Sequence, residues 1–219
     1  MVKPLAGIRV LELGQLIAGP FAGKFFAEFG AEVIKIEPPA IDGHAGGDPL
    51  RQWRLLHHGT SLWWYVQNRN KKSVTVNLRL AEGQEIARRL ATSADVVIEN
   101  FRPGTLEKWG LGYDALSREN PGLVMLRLSG YGQTGPLRDQ AGFGAIGESM
   151  GGLRYVTGFP DRPPVRPNLS IGDGIASLHG VIGVLMALRH RDATGGKSGG
   201  RSGGRGQIVD VALYEAVFN

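Results

Sequence analysis

Residues 8–37 read IRVLELGQLIAGPFAGKFFAEFGAEVIKIE, and their patterning decides the fold class. IRVLEL (8–13) and EVIKIE (32–37) are short runs of β-favouring residues. Between them, GPFAGKFFAEFGA (19–31) carries Phe21, Phe25, Phe26 and Phe29 at i, i+4, i+5 and i+8, which is helical spacing. Strand, glycine-bearing turn, helix and strand form a βαβ unit, with parallel strands and a right-handed crossover. The alternation continues through SVTVNL (73–78), AEGQEIARRLATS (81–93), DVVIEN (95–100), two short helices around 104–119, and LVMLRLSG (123–130). Strands alternating with helices predict an α/β fold with a Rossmann-like, doubly wound, mainly parallel sheet.

The interval 38–60, rich in Pro, Gly and His, reads as a long connection. Beyond residue 130 come a glycine-rich loop, YGQTGPLRDQAGFG, a short helix at 145–153 and an extended proline segment, GFPDRPPVRPN. An apolar helix is expected from Asp173 to about Arg191. The stretch 192–207 reads as a flexible, basic, glycine-rich loop, followed by a strand, IVDVAL, and the first turn of a helix, YEAVFN. That last turn reads as part of an interrupted domain.

The 219 residues are 42% hydrophobic and 21% charged, an ordinary globular composition sufficient for one sizeable core. The net charge of +5 suits an anionic partner, but the basic residues are scattered and no block of them interleaves with aromatics. Nucleic acid is therefore not an expected partner. The absence of cysteine excludes disulfides, thiolate metal sites and cysteine nucleophiles. No apolar run is read as long enough for a membrane span, and MVKPLAGIRVLEL lacks a signal-peptide layout. These features predict a cytoplasmic protein with no membrane partner.

Several motifs fail on spacing. Gly14, Gly19 and Gly23 after the first strand, with Glu37 ending the second, suggest nicotinamide binding, yet G-x-G-x-x-G is absent. Pro20 suits a first helical position. GGKSGG (195–200) would need a glycine where Arg191 stands, and it follows a helix rather than a strand, so it is not a phosphate loop. His44, His57, His58, His179 and His190 make no metal-ligand pair, His179 does not share a helical face with Asp173, and no G-x-S-x-G occurs.

Asp173, between Gly172 and Gly174, has two readings. As a helix N-terminal residue it accepts backbone N–H bonds and complements the dipole, worth roughly 1 kcal/mol. The same N–H groups keep a nucleophilic carboxylate ionised, while the glycines leave room for an acyl group. Local sequence is compatible with both.

Taken together, PLAGIRVLELGQLIAGP, GAEVIKIEPP, NRNKKSVTVNL, ADVVIENFRPGTLEKWGLGYDAL, SGYGQTGP, TGFPDRPPVR, IGDGIASLHG and GQIVDVALYEAVFN resemble the class III CoA-transferase family, which includes formyl-CoA transferase, carnitine CoA-transferase and α-methylacyl-CoA racemase. The resemblance runs from residue 4 to 219 and implies that the chain is a large CoA-binding domain, the N-terminal half of a longer protein. It implies Asp173 as the catalytic nucleophile. It also implies a CoA cleft built from Ile17 and Ala18, from Val76, Asn77, Leu78 and Arg79, from Asn100, Phe101, Arg102 and Lys108, and from Ala141, Gly142, Phe143 and Gly144. Arg79, Arg102 and Lys108 would pair with the nucleotide phosphates.

Coenzyme A enters as substrate, with a small carboxylic acid as its partner; no metal and no permanently bound cofactor is expected. Formyl-CoA transferase has Gln where Ile17 stands, Arg where Pro38 stands and Tyr-Glu where Phe143 and Gly144 stand, which argues against formyl/oxalate specificity. Racemases have His at Phe143, and Phe transfers no proton, which argues against racemisation. A dicarboxylate transferase using succinyl-CoA fits better. The resemblance implies an interlocked homodimer at full length, with a second, smaller domain that is expected to lie outside these 219 residues. The alternatives are a catalytically incomplete CoA-binding or dimerising fragment and, further off, a nicotinamide-dependent dehydrogenase.

Overall fold

Six strands pair into one all-parallel sheet: β1 (Arg9–Glu12), β2 (Glu32–Glu37), β3 (Lys72–Thr75), β4 (Val96–Glu99), β5 (Val124–Ser129) and β6 (Ile208–Ala212). The computed structural model describes residues 3–41, 43, 45–167, 169–195, 197–198 and 201–219. The spatial order is β6-β5-β4-β1-β2-β3, so successive strands step outward in one direction from β1 and then, after β3, in the other from β4. That is the doubly wound α/β arrangement expected from the sequence. The order reverses between β1 and β4, and the crevice at their carboxyl ends is the usual ligand position in such sheets.

The strands read as nearly continuous apolar runs because helices cover both faces. Alternate residues serve opposite cores. Val10, Val96, Ile98, Val124, Leu126 and Leu128 face α1 (Ala18–Glu28), α7 (Ile171–Thr194) and α8 (Leu213–Phe218). Leu11, Val97, Leu123 and Met125 instead join Ala87 and Ala91 of α3 (Ala81–Thr92), Leu106 of α4 (Thr105–Lys108) and Leu116 of α5 (Tyr113–Glu119). Each fully buried aliphatic side chain contributes about 1.5–3 kcal/mol. The short helix α6 (Gly144–Met150) begins at the crevice, whereas α2 (Leu62–Gln67) lies beside α1.

Several expectations are corrected. The face of α1 that enters the core is Ala18, Ala22, Phe26 and Ala27, with Phe25 packed partly buried against it; Phe29 is exposed, and Phe21 lies beside Phe25 and Lys24 on the flank. Small residues at 18 and 22 let the helix lie close to the sheet, which a line of phenylalanines would prevent. Pro20 is the third helical residue rather than the first. The interval 38–60 is partly ordered into a 3-10 turn, Pro49–Gln52, and a two-stranded ladder of Leu56–His57 with Thr60–Ser61. Helix α7 begins before Asp173 and continues to Thr194, and by length and composition it is long and apolar enough to cross a membrane. Ala176, Val181, Val184, Ala187 and Leu188 join the core on the sheet side, and Gly180 is buried against Leu126. The expected loop 192–207 thus starts later; parts of it, including 196, 199 and 200, lie outside the described residues, and Lys197–Ser198 pairs antiparallel with Arg201–Ser202.

Gly83, in the first turn of α3, shows how tightly the loop after β3 is held. A Cβ there would lie 2.0 Å from the backbone oxygen of Asn77. Gly83→Ala is expected to lower stability by about 1–3 kcal/mol in urea unfolding, although alanine is the better helix former.

Candidate active site

Two loops meet at the switch point. Gly14 follows β1 and approaches Gly19 so closely that a Cβ on either would lie 2.9 Å from the other's Cα. Asn100, following β4, accepts from the Gln15 N–H and donates to the Gln15 carbonyl, both at 2.8 Å. Two of the glycines that resemble a nucleotide fingerprint, Gly14 and Gly19, therefore serve this close packing, and the third, Gly23, makes room for the Glu12 carboxylate. Glu37 is likewise consumed: it accepts from Arg51, Ser73 and the Asp48 N–H, and although burial opposes ionisation these bonds bring its pKa down to about 2.

Beneath the β1 loop lies a buried cluster of alternating charges. Lys35 Nζ sits 2.9 Å from Glu12 Oε1 and 2.8 Å from Asp48 Oδ2, and it donates to the Gly14 carbonyl at 2.7 Å. Lys71 Nζ lies 2.7 Å from Glu12 Oε2. Burial alone would lower the Lys35 pKa, but the two carboxylates outweigh it and raise it. The other oxygen of Asp48 accepts the Leu16 N–H at 2.9 Å and the Leu50 N–H at 2.9 Å. Leu16 has φ of 60°, a left-handed conformation that costs about 1–2 kcal/mol for a non-glycine residue. Asp48 thereby holds the loop that forms one wall of the crevice.

The opposite wall comes from α6, α7 and the loop before them. Asp173 is the third residue of α7; Ser170, not Asp173, occupies the N-cap position, and it makes no side-chain capping bond. Asp173 therefore does not occupy the cap itself, but lies in the first turn of the helix, where its charge complements the dipole. Its half-buried carboxyl faces a cleft of about 360 Å³. Burial first, and then the neighbouring Glu148 carboxylate, push its pKa up to about 6, with Arg166 opposing. The carboxyl is mostly ionised at neutral pH yet more basic than an exposed one.

The glycines around it have roles the sequence did not reveal. Gly172 lets α7 close on α6, since its Cβ would lie 2.8 Å from the Gly144 oxygen, while Gly174 faces open space. Room beside the carboxylate is made by Gly144, whose Cβ would lie 2.3 Å from Asp173 Oδ2.

Of the residues singled out from the sequence, Ile17, Ala18, Asn100, Phe101, Arg102, Ala141, Gly142, Phe143, Gly144 and Asp173 line this one cleft. Val76, Asn77, Leu78, Arg79 and Lys108 do not line it. The first four follow β3, two strands out from β1, and Lys108 is exposed at the end of α4. Phe101 packs edge-on against Trp109 at 5.4 Å, and Phe143 is exposed at the rim. The cleft also contains Leu16, Arg54, Arg138 and Arg166, which sequence reasoning did not select. Arg166 ends the TGFPDRPPVR segment, whose resemblance to the family assigns that arginine no role. Among the described residues, no cluster of His, Asp and Glu is arranged to hold a metal ion.

A parallel sheet wound in this order, with an ionisable carboxyl facing the switch-point crevice and arginines around it, defines a Rossmann-like α/β protein with a carboxylate-centred cleft. More narrowly, the chain belongs to CoA-transferase family III, whose family model matches residues 5–219. It is 54% identical over 216 residues to succinyl-CoA–D-citramalate CoA-transferase of Chloroflexus aurantiacus, covering 98% of this chain and 50% of that protein. It is 37% identical to succinate–glutarate CoA-transferase of Agrobacterium fabrum, covering 97% of this chain and 51% of the relative. Among solved structures, a CAIB/BAIF family protein from Brucella suis superposes with a TM-score of 0.89 at 37% identity, covering 100% of this chain and 55% of that one. The chain spans about half the length of the curated relatives it matches.

Proposed function

We propose that the chain carries the nucleophile and part of the CoA cleft of an acyl-CoA:carboxylate CoA-transferase acting on small dicarboxylic acids. The observation that carries this reading is the Asp173 carboxyl, poised at the switch-point crevice with Gly144 clearing space beside it. The matched relatives are named for succinyl-CoA with citramalate, malate or glutarate, which supports dicarboxylic substrates.

In the proposed reaction an oxygen of Asp173 attacks the thioester carbonyl carbon. The new C–O bond forms as the C–S bond breaks, leaving a mixed anhydride and CoA thiolate. The thiolate then attacks the aspartyl carbonyl carbon and expels the donor acid as a carboxylate, giving an aspartyl-CoA thioester. An acceptor carboxylate attacks the same carbon and releases thiolate as a second anhydride forms. The thiolate finally attacks the acceptor's acyl carbon and frees Asp173. One thioester replaces another, so no external energy is needed, and each step is easier than direct exchange. Arg54, Arg102 and Arg138 at the rim suit the anionic nucleotide end of CoA.

The protein is expected to exchange CoA between succinyl-CoA and isotopically labelled succinate with no second acid present. Absence of exchange, with CoA still raising the melting temperature, would favour a binding module that turns nothing over. Protection by NAD instead of CoA would favour a dehydrogenase.

Gly144→Ala should slow this exchange at least tenfold, because a methyl group displaces the reacting oxygen and misplaced reactive groups lose near-attack geometry. The expected change in melting temperature is small, since the displaced group borders an open cleft.

A further inference from the structure

Arg166 stands out among the arginines of the cleft. Its Nε donates to Glu148 Oε2 at 3.2 Å, and Arg154 approaches the same oxygen at 3.5 Å. Glu148 is fully buried, and its other oxygen has no hydrogen-bond partner among the described residues. Glu148 lies one helical turn after Gly144 on α6, and Gly144 abuts the Asp173 carboxylate. Anchor and nucleophile therefore lie on neighbouring helices, Glu148 on α6 and Asp173 on α7, with Gly144 of α6 between them. Among the described residues, Arg138 forms an ion pair only with its exposed neighbour Asp139, at 3.5 Å.

We infer that Arg166, anchored by Glu148, is the carboxylate-recognition residue of this site: it receives the free carboxylate of a dicarboxylic acyl group whose other end reacts at Asp173. The inference rests on the proposed transferase activity and adds the residue that selects its substrate class.

Two arguments support it. The first is geometric. Glu148 engages the guanidinium side-on through Nε, and no described residue bonds the two terminal NH2 groups, which are left to form a planar fork for a carboxylate. Arg166 makes no ion pair with Asp173, although its charge is felt there, so the nucleophile does not consume it. The second is charge balance. Asp173 and Glu148 oppose Arg154 and Arg166, two charges of each sign. Acylation neutralises Asp173 and leaves one positive charge unmatched. A monocarboxylic acyl group cannot match it, whereas the free end of a dicarboxylic one can.

The test compares the native protein with Arg166→Gln and Arg166→Lys, measuring the KM for succinyl-CoA and the inhibition constant of free CoA, which lacks the carboxylate. Arg166→Gln is expected to raise the KM for succinyl-CoA roughly 30-fold or more while leaving CoA inhibition within about twofold. Arg166→Lys, a point charge without the fork, should recover part of the loss. An unchanged KM in Arg166→Gln overturns the inference while leaving the transferase reading intact. Equal weakening of succinyl-CoA and CoA also overturns it, as the mark of a structural role. Absence of transfer in the native protein overturns the transferase reading and this inference together.

Discussion

Asp173→Asn is expected to abolish CoA transfer and, at the same time, to make the protein more stable. The loss of rate should be on the order of 10³-fold or greater, since an amide is a poor nucleophile and the reaction has no other covalent carrier. The gain in stability follows from linkage. The folded Asp173 has a pKa of about 6 against 3.8 for the free group, chiefly from burial and secondarily from Glu148. An acid whose pKa rises on folding binds its proton more tightly in the native state, so its ionisation opposes folding. Below about pH 4 both states are protonated and nothing is lost. Between there and about pH 6 the penalty grows, and above that it is constant, at about 2 kcal/mol once partial exposure is allowed for. The Asn variant should melt higher than the native protein at pH 8, with the difference shrinking to nothing near pH 4. The transfer rate of the native protein should rise with pH through about 6, as the nucleophile ionises. Repulsion by Glu148 assists the chemistry too, because acylation removes the Asp173 charge as protonation does.

The second large effect is expected at Lys35. It stands between the fully buried carboxylates of Glu12 and Asp48, with Lys71 reaching only the former by ion pair. Lys35→Met keeps most of the side-chain volume and leaves Asp48 without its cation. Breaking a buried pair on one side costs about 3–5 kcal/mol, a large share of the 5–15 kcal/mol that typically separates a folded domain from its unfolded chain. Urea unfolding should show a midpoint shift of that size. The effect should reach the cleft as well, since Asp48 holds Leu16 in its left-handed conformation. A variant as stable as the native protein would show that the cluster contributes nothing net. Gly23 belongs to the same arrangement: a Cβ there would overlap the Glu12 carboxylate.

These predictions also mark where sequence patterning was informative. The β-favouring run EVIKIE placed β2 at the residues observed, and the alternation of such runs with helical segments gave the sheet class, because both are local properties of the chain. Asp173 stood out for its glycine neighbours, yet the glycine that gives its carboxyl space is Gly144, 29 residues earlier. The Glu148–Arg166 bond spans 18 residues across an irregular proline-rich segment with no periodicity to expose it. Lys35 appeared in a strand pattern as an ordinary charged residue. Its burial depends on Asp48, which arrives from a connection that the sequence marked only as long. Contacts of this kind belong to the fold and leave no local trace.

The most direct measurement of the central claim is a trapping experiment: the protein is turned over with succinyl-CoA in the presence of hydroxylamine, digested, and its peptides are sequenced by mass spectrometry. An acylated or thioesterified aspartate captured in this way becomes a hydroxamate. The account predicts that modification at Asp173 and its absence when succinyl-CoA is left out. A preparation that transfers CoA while Asp173 stays unmodified, or in which another carboxylate is captured instead, would contradict it.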